Sequence, residues 1–219
     1  EVLDDEINIL GFAESDKNRK VQLLNNLTKS KTDFFDIIPT NFTKLERISF
    51  EFSEIKKNLN LLIQDESIIT YEIDSVYQNV SEIGELIIEN DTLFLLNFID
   101  ANEINLSEVM TDSQLYRGQE IIELSKNNFQ IDLFGFNKLK NFKYFTKFEK
   151  LVLFAETKDE LENIILNFRN NLTLSMQNSF NEFRKKIPSK SVKFALYNYK
   201  NAKEFGNQFI YTSEEISNN

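Results

Sequence analysis

The sequence contains no histidine, no cysteine and no tryptophan. The first two absences remove most of the familiar reactive chemistry. Without imidazole, the side chain that moves protons most readily near neutral pH is missing. Ser–His and Cys–His nucleophile pairs cannot be assembled. Zinc, copper, haem and iron–sulfur sites lose their usual ligands. Without thiols there is no disulfide framework, which leaves the redox compartment open. Glycine is scarce as well. With five in 219 residues, no Gly-rich phosphate cradle of the P-loop or dinucleotide type can be built. No apolar run approaches the ~18 residues needed to cross a bilayer. The first residue is Glu1, not Met, the pattern of a processed or excised chain, and a removed signal peptide would leave no trace.

Positive charge is also in deficit: 25 Lys and Arg against 35 Asp and Glu, a net charge of −10. That balance argues against nucleic acid as a partner. A hydrophobic share of 41% is enough to bury a core, so the charge does not imply disorder. The aromatics are 21 Phe and 7 Tyr, and Phe brings bulk without a polar atom, as core filler does. Asp, Glu, Lys, Tyr and Ser are left for chemistry. The expectation is a chain that is not an enzyme, with no catalytic residues, no metal and no cofactor.

Periodicity divides the chain into β runs and short helices. Glu6–Ala13 reads as a strand, and residues 19–28 as a short helix with Val21, Leu24 and Leu27 on one side. A boundary is expected near Pro39. Leu45–Phe52 alternates as a half-buried strand, with Ile48, Phe50 and Phe52 on the core face and Arg47, Ser49 and Glu51 on the wet face. Ser53 is placed to cap a helix carrying Ile55, Leu59 and Leu62. A second short helix is expected near Asp74–Gln78. Two hairpins are read, Ile83–Glu89 with Thr92–Ile99 around Asn90-Asp91, and Gln119–Leu124 with Phe129–Phe134 around Asn127-Asn128. From Phe148 to Tyr199 the order is strand, capped helix, second helix, strand. Thr157-x-x-Glu160 is a capping box. Leu161, Ile164, Ile165 and Phe168 form one apolar stripe, and Met176, Phe180, Phe183 and Ile187 another. The fold class is therefore α+β: antiparallel β-hairpins and β–α units with amphipathic helices packed on the sheet. Residues 1–36 read as the tail of a preceding module or an N-terminal β–α segment, and 37–219 as the main module. Two weak internal echoes, Ile7–Phe12 with Ile131–Phe136 and 46–62 with 149–165, differ in offset and define no period.

The densest candidate site is Lys138–Lys150. Five lysines and Glu149 give it +4, so the other residues sum to −14. Lys138, Lys140, Lys143 and Lys147, interleaved with Phe142 and Tyr144, are suited to an anionic glycan, a lipid headgroup or a single strand of nucleic acid. The alternative is an amphipathic connection whose aromatics face the core while its lysines stay solvated. Glu82, Glu85 and Glu89 are candidates for paired-carboxylate glycan hydrolysis, which needs two carboxyl groups roughly 5–9.5 Å apart across a cleft; as residues on a strand's wet face they do nothing of the kind. Asp4-Asp5-Glu6 and Glu214-Glu215 are acidic clusters of the sort that hold hard cations or simply stay solvated.

Three elements together resemble a known family. Ile37-Ile-Pro-Thr-Asn41 is followed by a strand and a helix at Ser53. Leu151–Ile165 joins a strand to a Thr-x-x-Glu helix. Leu172-Thr-Leu174 precedes Phe180-Asn-Glu-Phe183 and a closing strand at Val192–Tyr199. The arrangement, over residues 35–200, resembles an uncharacterised domain family of secreted or lipid-anchored, often repetitive envelope proteins of Bacteroidota. The resemblance carries no catalytic residues. It implies an extracytoplasmic site, in the periplasm or at the outer membrane. It also implies a non-enzymatic interaction or scaffold role among other envelope proteins, with membrane contact only through an anchor outside this chain. The signal and lipidated cysteine of a full-length lipoprotein are lacking here. The rival functions are a carboxylate-dependent glycan hydrolase and an anionic-ligand binder acting through residues 138–150.

Overall fold

The computed structural model describes residues 2–3, 6–7, 22–63, 75–103, 110–125 and 142–198. A short hairpin pairs β1 (Val2–Leu3) with β2 (Glu6–Ile7). The other strands are β3 (Lys44–Ser49), β4 (Val80–Ile88), β5 (Asp91–Phe98), β6 (Met110–Tyr116), β7 (Gln119–Leu124), β8 (Tyr144–Phe148), β9 (Leu151–Ala155) and β10 (Lys193–Tyr197). They form one eight-stranded antiparallel sheet in the order β10-β3-β4-β5-β9-β8-β7-β6. Among the described residues three helices accompany it: α1 (Phe52–Ile63), α2 (Lys158–Arg169) and α3 (Asn178–Arg184). The protein is mixed α+β with the sheet dominant.

In the eight-stranded sheet, three of the strand pairs are hairpins closed by two residues. Ile88 pairs with Asp91, Tyr116 with Gln119, and Phe148 with Leu151. Each turn needs a left-handed residue. Glu89 (φ 55°), Arg117 (φ 48°) and Glu149 (φ 53°) supply it, and Gly118 follows Arg117 at φ 76°. Two consecutive positive φ values match the type I′ turn, whose twist suits the flanking strands. The first hairpin falls where Asn90-Asp91 predicts it, one residue earlier. The second differs: Gln119–Leu124 pairs backward with Met110–Tyr116, and Phe129–Phe134 lies outside the described residues. Strand β6 escapes a periodicity reading because Met110-Thr-Asp-Ser-Gln-Leu-Tyr116 has almost no apolar alternation, and its side chains are largely exposed.

Both faces of the sheet are covered. Along β5, Phe94, Leu96 and Phe98 enter one core cluster and Leu93 and Leu95 the other. Along β9, Val152 and Phe154 alternate with Leu151, Leu153 and Ala155 in the same way. That is why β9 reads as an unbroken apolar run and not as an alternation. Leu161, Ile164 and Ile165 of α2 are fully buried in the second cluster, beside Phe34, Ile38, Leu95 and Leu153. Burying each such side chain contributes about 1.5–3 kcal/mol. The second apolar stripe is not buried in the same manner. No residue of α3 is fully buried and Met176 is 59% exposed, although Phe180 meets Phe35 edge-to-face with ring centroids 4.9 Å apart.

Local signals set the ends of α2. Thr157 Oγ1 accepts from the Glu160 N–H, and the Glu160 carboxylate returns to the Thr157 hydroxyl at 2.9 Å and the Glu156 N–H at 3.3 Å. The box is thus shifted by one residue at its second bond. At the other end Asn171 takes φ 57°, and the Asn171 and Leu172 amides donate to the Phe168 and Asn167 carbonyls, a Schellman closure.

Several local expectations change. Helix α1 begins at Phe52, so Ser53 lies inside its first turn instead of capping it, and Phe52 is helical instead of extended. Residues 75–79 form a 3₁₀ turn where a short helix is expected. Of the helix read over 19–28, residues 19–21 lie outside the described residues, Gln22 is helical and 23–26 are turn, with Leu23 and Leu27 buried and Leu24 half-buried. Leu23, Leu27, Phe34 and Phe35 join the same two clusters as the strands after residue 37, and Pro39 bridges Thr173. Most of Glu6–Ala13, the first echo beyond Ile7 and the whole of its counterpart Ile131–Phe136 lie outside the described residues, as do Val21 and the side chains of Leu59 and Leu62.

Candidate functional site

The half-buried reading of β3 and β4 assigns Arg47, Ser49, Glu82 and Glu85 to a wet face. The structure corrects this. Arg47 and Glu82 are each 1% exposed, and Ser49 and Glu85 are also buried. The reason is the second core layer: alternation tells which side a residue takes, and both sides of this sheet are covered.

The register places Arg47 beside Gly84, Ser49 beside Glu82, and Glu82 beside Asn97, all on one face. Residues 28–33 cross the ends of these strands as a polar strap. The Ser49 hydroxyl donates to the Thr28 carbonyl at 2.6 Å. Ser30 and Ser191 exchange backbone hydrogen bonds at 3.1 Å, joining the strap to the approach of β10. Arg47 donates to the carbonyls of Ser30, Ser191 and Val192, and its guanidinium lies 5.2 Å from the Phe194 ring centroid. Its Nε stands 3.2 Å from Glu82 Oε1. Glu82 Oε2 accepts from Asn97 Nδ2 at 2.7 Å, and the same amide reaches Asp33 Oδ2 at 3.3 Å. Asp33 closes the chain on Lys150 of the β8–β9 turn at 2.6 Å.

Charge in this setting is costly. Burial pushes the Glu82 carboxyl above its ordinary value, against the pull of Arg47 and Asn97. Burial likewise lowers Arg47, with Glu82 opposing. Each partner is driven toward its neutral form, so desolvation outweighs the attraction between them, as expected for a buried pair. Asp33, half exposed, behaves differently. Burial raises it, but the Lys150 bond and charge together with Asn97 hold it below the usual carboxylate range.

On the opposite face a second group of charges clusters at the β10 edge. Lys44 Nζ is 2.7 Å from Glu46 and 3.6 Å from Glu85, and Lys193 is 2.5 Å from Glu46. Burial raises the Glu46 carboxyl, but Lys193 and Lys44 outweigh it and hold the group low.

The three candidate glutamates do not converge. Glu82 and Glu85 stand on opposite faces of β4, and Glu89 is exposed in the hairpin turn. Among the described residues, no three Asp or Glu side chains are grouped as metal ligands would be, and no helix is long and apolar enough to cross a membrane. Glu214-Glu215 lie outside the described residues.

Within the lysine-rich segment, Tyr144–Phe148 is strand β8 of the sheet. Lys138 and Lys140 lie outside the described residues. Phe142 is buried in the first core cluster with its ring 6.0 Å from that of Phe94. Lys143 is exposed. In β8, Tyr144 and Lys147 point to opposite faces because the strand alternates. Tyr144 lies under Lys158, 5.3 Å from ammonium to ring centroid, and Lys147 stands 5.8 Å from the Phe145 ring. Phe145 and Phe148 are buried. The aromatic rings of this segment thus meet side chains of the same protein.

The strap itself escapes sequence reasoning. Residues 29–33 read as polar turn, and Arg47 and Glu82 as solvated charge. The available signal is that each interrupts an apolar run, Leu45-Glu-Arg-Ile48 and Val80-Ser-Glu-Ile83, with opposite sign. Set against protein-family models, curated proteins and solved structures, the chain matches none of them.

Proposed function

We propose that this chain is a non-enzymatic interaction or scaffold module of a bacterial cell-envelope protein. It works outside the cytoplasm as part of a larger assembly of envelope proteins, and any membrane contact comes through an anchor outside this chain. Its helices serve as amphipathic layers that stiffen the sheet. The supporting observation is how the polar groups are used. Arg47, Glu82, Asn97, Asp33 and Lys150 bind one another and backbone carbonyls, with Arg47 and Glu82 sealed from water. A carboxylate that water cannot reach neither attacks nor protonates a substrate. The sequence resemblance to the Bacteroidota envelope family supports the same compartment.

The test has two arms. The parent gene is expressed in its own host with photo-cross-linking residues at exposed positions of β6 and β10, and the cells are fractionated. Cross-links from the envelope fraction to a defined envelope protein, lost on competition with unlabelled chain, are the expected outcome. Recovery in the cytosol, or turnover of a glycan panel that Glu82→Gln abolishes, overturns the proposal.

A further inference from the structure

Strand β6 ends the sheet, and no described strand pairs with its outer side. Tyr116 and Gln119 flank a two-residue turn, so they form a hydrogen-bonded pair with each other. Bonded and non-bonded pairs alternate along an antiparallel ladder. Gln114 and Asp112 therefore also bond inward to β7, while the backbone N–H and C=O groups of Ser113 and Leu115 point outward. The hydrogen bond from the Ser113 N–H to the Asp112 carboxylate, 2.8 Å, agrees with that direction. Edge strands are commonly guarded by lysine, proline or brevity. This one has seven residues, no lysine, no proline and a single charge, Asp112. An irregularity between Met110 and Asp112 leaves Asp112–Tyr116 as the regular part. Leu115 is 73% exposed.

We propose that this edge pairs with the same edge of a second copy, antiparallel and centred on Gln114, continuing the sheet across a two-fold axis. This register uses the whole regular part of the strand. Ser113 and the partner's Leu115 exchange both backbone hydrogen bonds, and the symmetry repeats the exchange. Asp112 of each copy then comes opposite Tyr116 of the other.

Charge selects this occupant. Arg117 lies 5.8 Å from the Tyr116 ring centroid, and Lys158 Nζ bonds Gln114 Oε1 at 3.3 Å. The two cations flank the place where the incoming carboxylate arrives. Directly opposed residues hold their Cβ atoms about 4.5–5.5 Å apart, within reach of both. The carboxylate leaves its own Ser113 N–H, which the incoming Leu115 carbonyl takes over. A strand whose only negative charge meets cations set beside it in the second copy, Arg117 of the turn and Lys158 of α2, is complementary to itself. Isologous two-fold contacts require that property. The proposal goes beyond the envelope-module reading and stands whether or not that reading holds.

Sedimentation equilibrium of the intact 219-residue chain, from about 1 to 500 µM, reads the association constant directly. Edge pairing alone covers less than a standard interface, so a weak, reversible dimer is expected. Asp112→Lys and Lys158→Glu should each weaken dimerisation at least tenfold, and the double swap should recover most of the loss. Ser113→Pro removes an outward amide without touching the β7 ladder and should give a monomer with unchanged far-UV circular dichroism. A chain monomeric at every concentration overturns the proposal. So does a dimer indifferent to the charge changes, which would place the second copy elsewhere. If Ser113→Pro fails to fold, the charge swap decides alone.

Discussion

Replacing Arg47 by Met should destabilise the protein by about 3–5 kcal/mol, the range for breaking one half of a buried ion pair. The structure says where that cost arises. Arg47 donates to three carbonyls, and each keeps a backbone partner when the guanidinium is gone. The Ser191 carbonyl still accepts from the Ser30 N–H, that of Ser30 from Ser191, and that of Val192 from Ser49. No orphaned carbonyl remains to add its desolvation cost. What remains is Glu82, 1% exposed, with only Asn97 and the strap to compensate its charge. Three consequences follow. The double variant Arg47→Met with Glu82→Gln should recover most of the loss, since Gln still accepts from Asn97. Glu82→Gln alone should cost less than Arg47→Met, because Arg47 keeps its carbonyl acceptors. Finally, the deficit should depend on pH. The Glu82 carboxyl already titrates above its ordinary 4.5, and losing Arg47 raises it further. A carboxyl raised in the folded state favours folding at low pH and loses that contribution as pH rises through its folded value. The gap between variant and wild type should therefore narrow as pH falls from 7 toward 4.5. Urea unfolding followed by far-UV circular dichroism at several pH values measures all of this, with the slope checked for constancy. A single variant within about 1 kcal/mol of wild type, a double no better than the single, or a pH-independent gap would refute the assignment of the cost to Glu82.

Three other outcomes are expected. A Cβ at Gly84 would lie 2.7 Å from the ring of fully buried Phe34, so Gly84→Ala should cost about 1–3 kcal/mol, with a favourable coupling to Phe34→Leu in a double-mutant cycle. Thr157→Ala removes the α2 cap and should lower stability by about 1 kcal/mol, seen as a lower urea midpoint at unchanged slope. Asp33 and Glu46 are held below their ordinary 3.8 and 4.5 and act oppositely to Glu82. Their contribution is present above those values and is lost as pH falls through the depressed ones, so Asp33→Asn and Glu46→Gln should each flatten the acid limb of a stability–pH curve.

The stretch from Leu151 to Arg184 is legible in the sequence because its signals are local. A capping box and an apolar stripe each act within a few residues of themselves. Strand β6 is not legible, since a polar edge strand makes no apolar pattern and gains its place only from the type I′ turn at Arg117-Gly118. Glu149 hides its turn for a related reason, as nothing in a glutamate announces a positive φ. The charged residues of β3 and β4 fail differently. Alternation gives the side of Arg47 and Ser49 but is not used to part Glu82 from Glu85, and whether a side is covered depends on Phe34 and on residues 28–33 and 191–192, far away in the chain. Of the candidate site at residues 138–150, composition conveys the charge and the aromatics. It cannot convey that Tyr144 and Lys147 part to opposite faces of one strand.

The strap carries a consequence for synthesis. Two of the three carbonyls that receive Arg47 belong to residues 144 and 145 positions downstream, the third being that of Ser30. A nascent chain must therefore carry that guanidinium, and the strands on either side of it, through 144 further residues of synthesis before the first of these two acceptors exists. Such long sequence separations slow folding. A stalled polypeptide released before Ser191 would leave β3 as an open margin beside a cation short of two acceptors, an evident target for holdase chaperones and proteases.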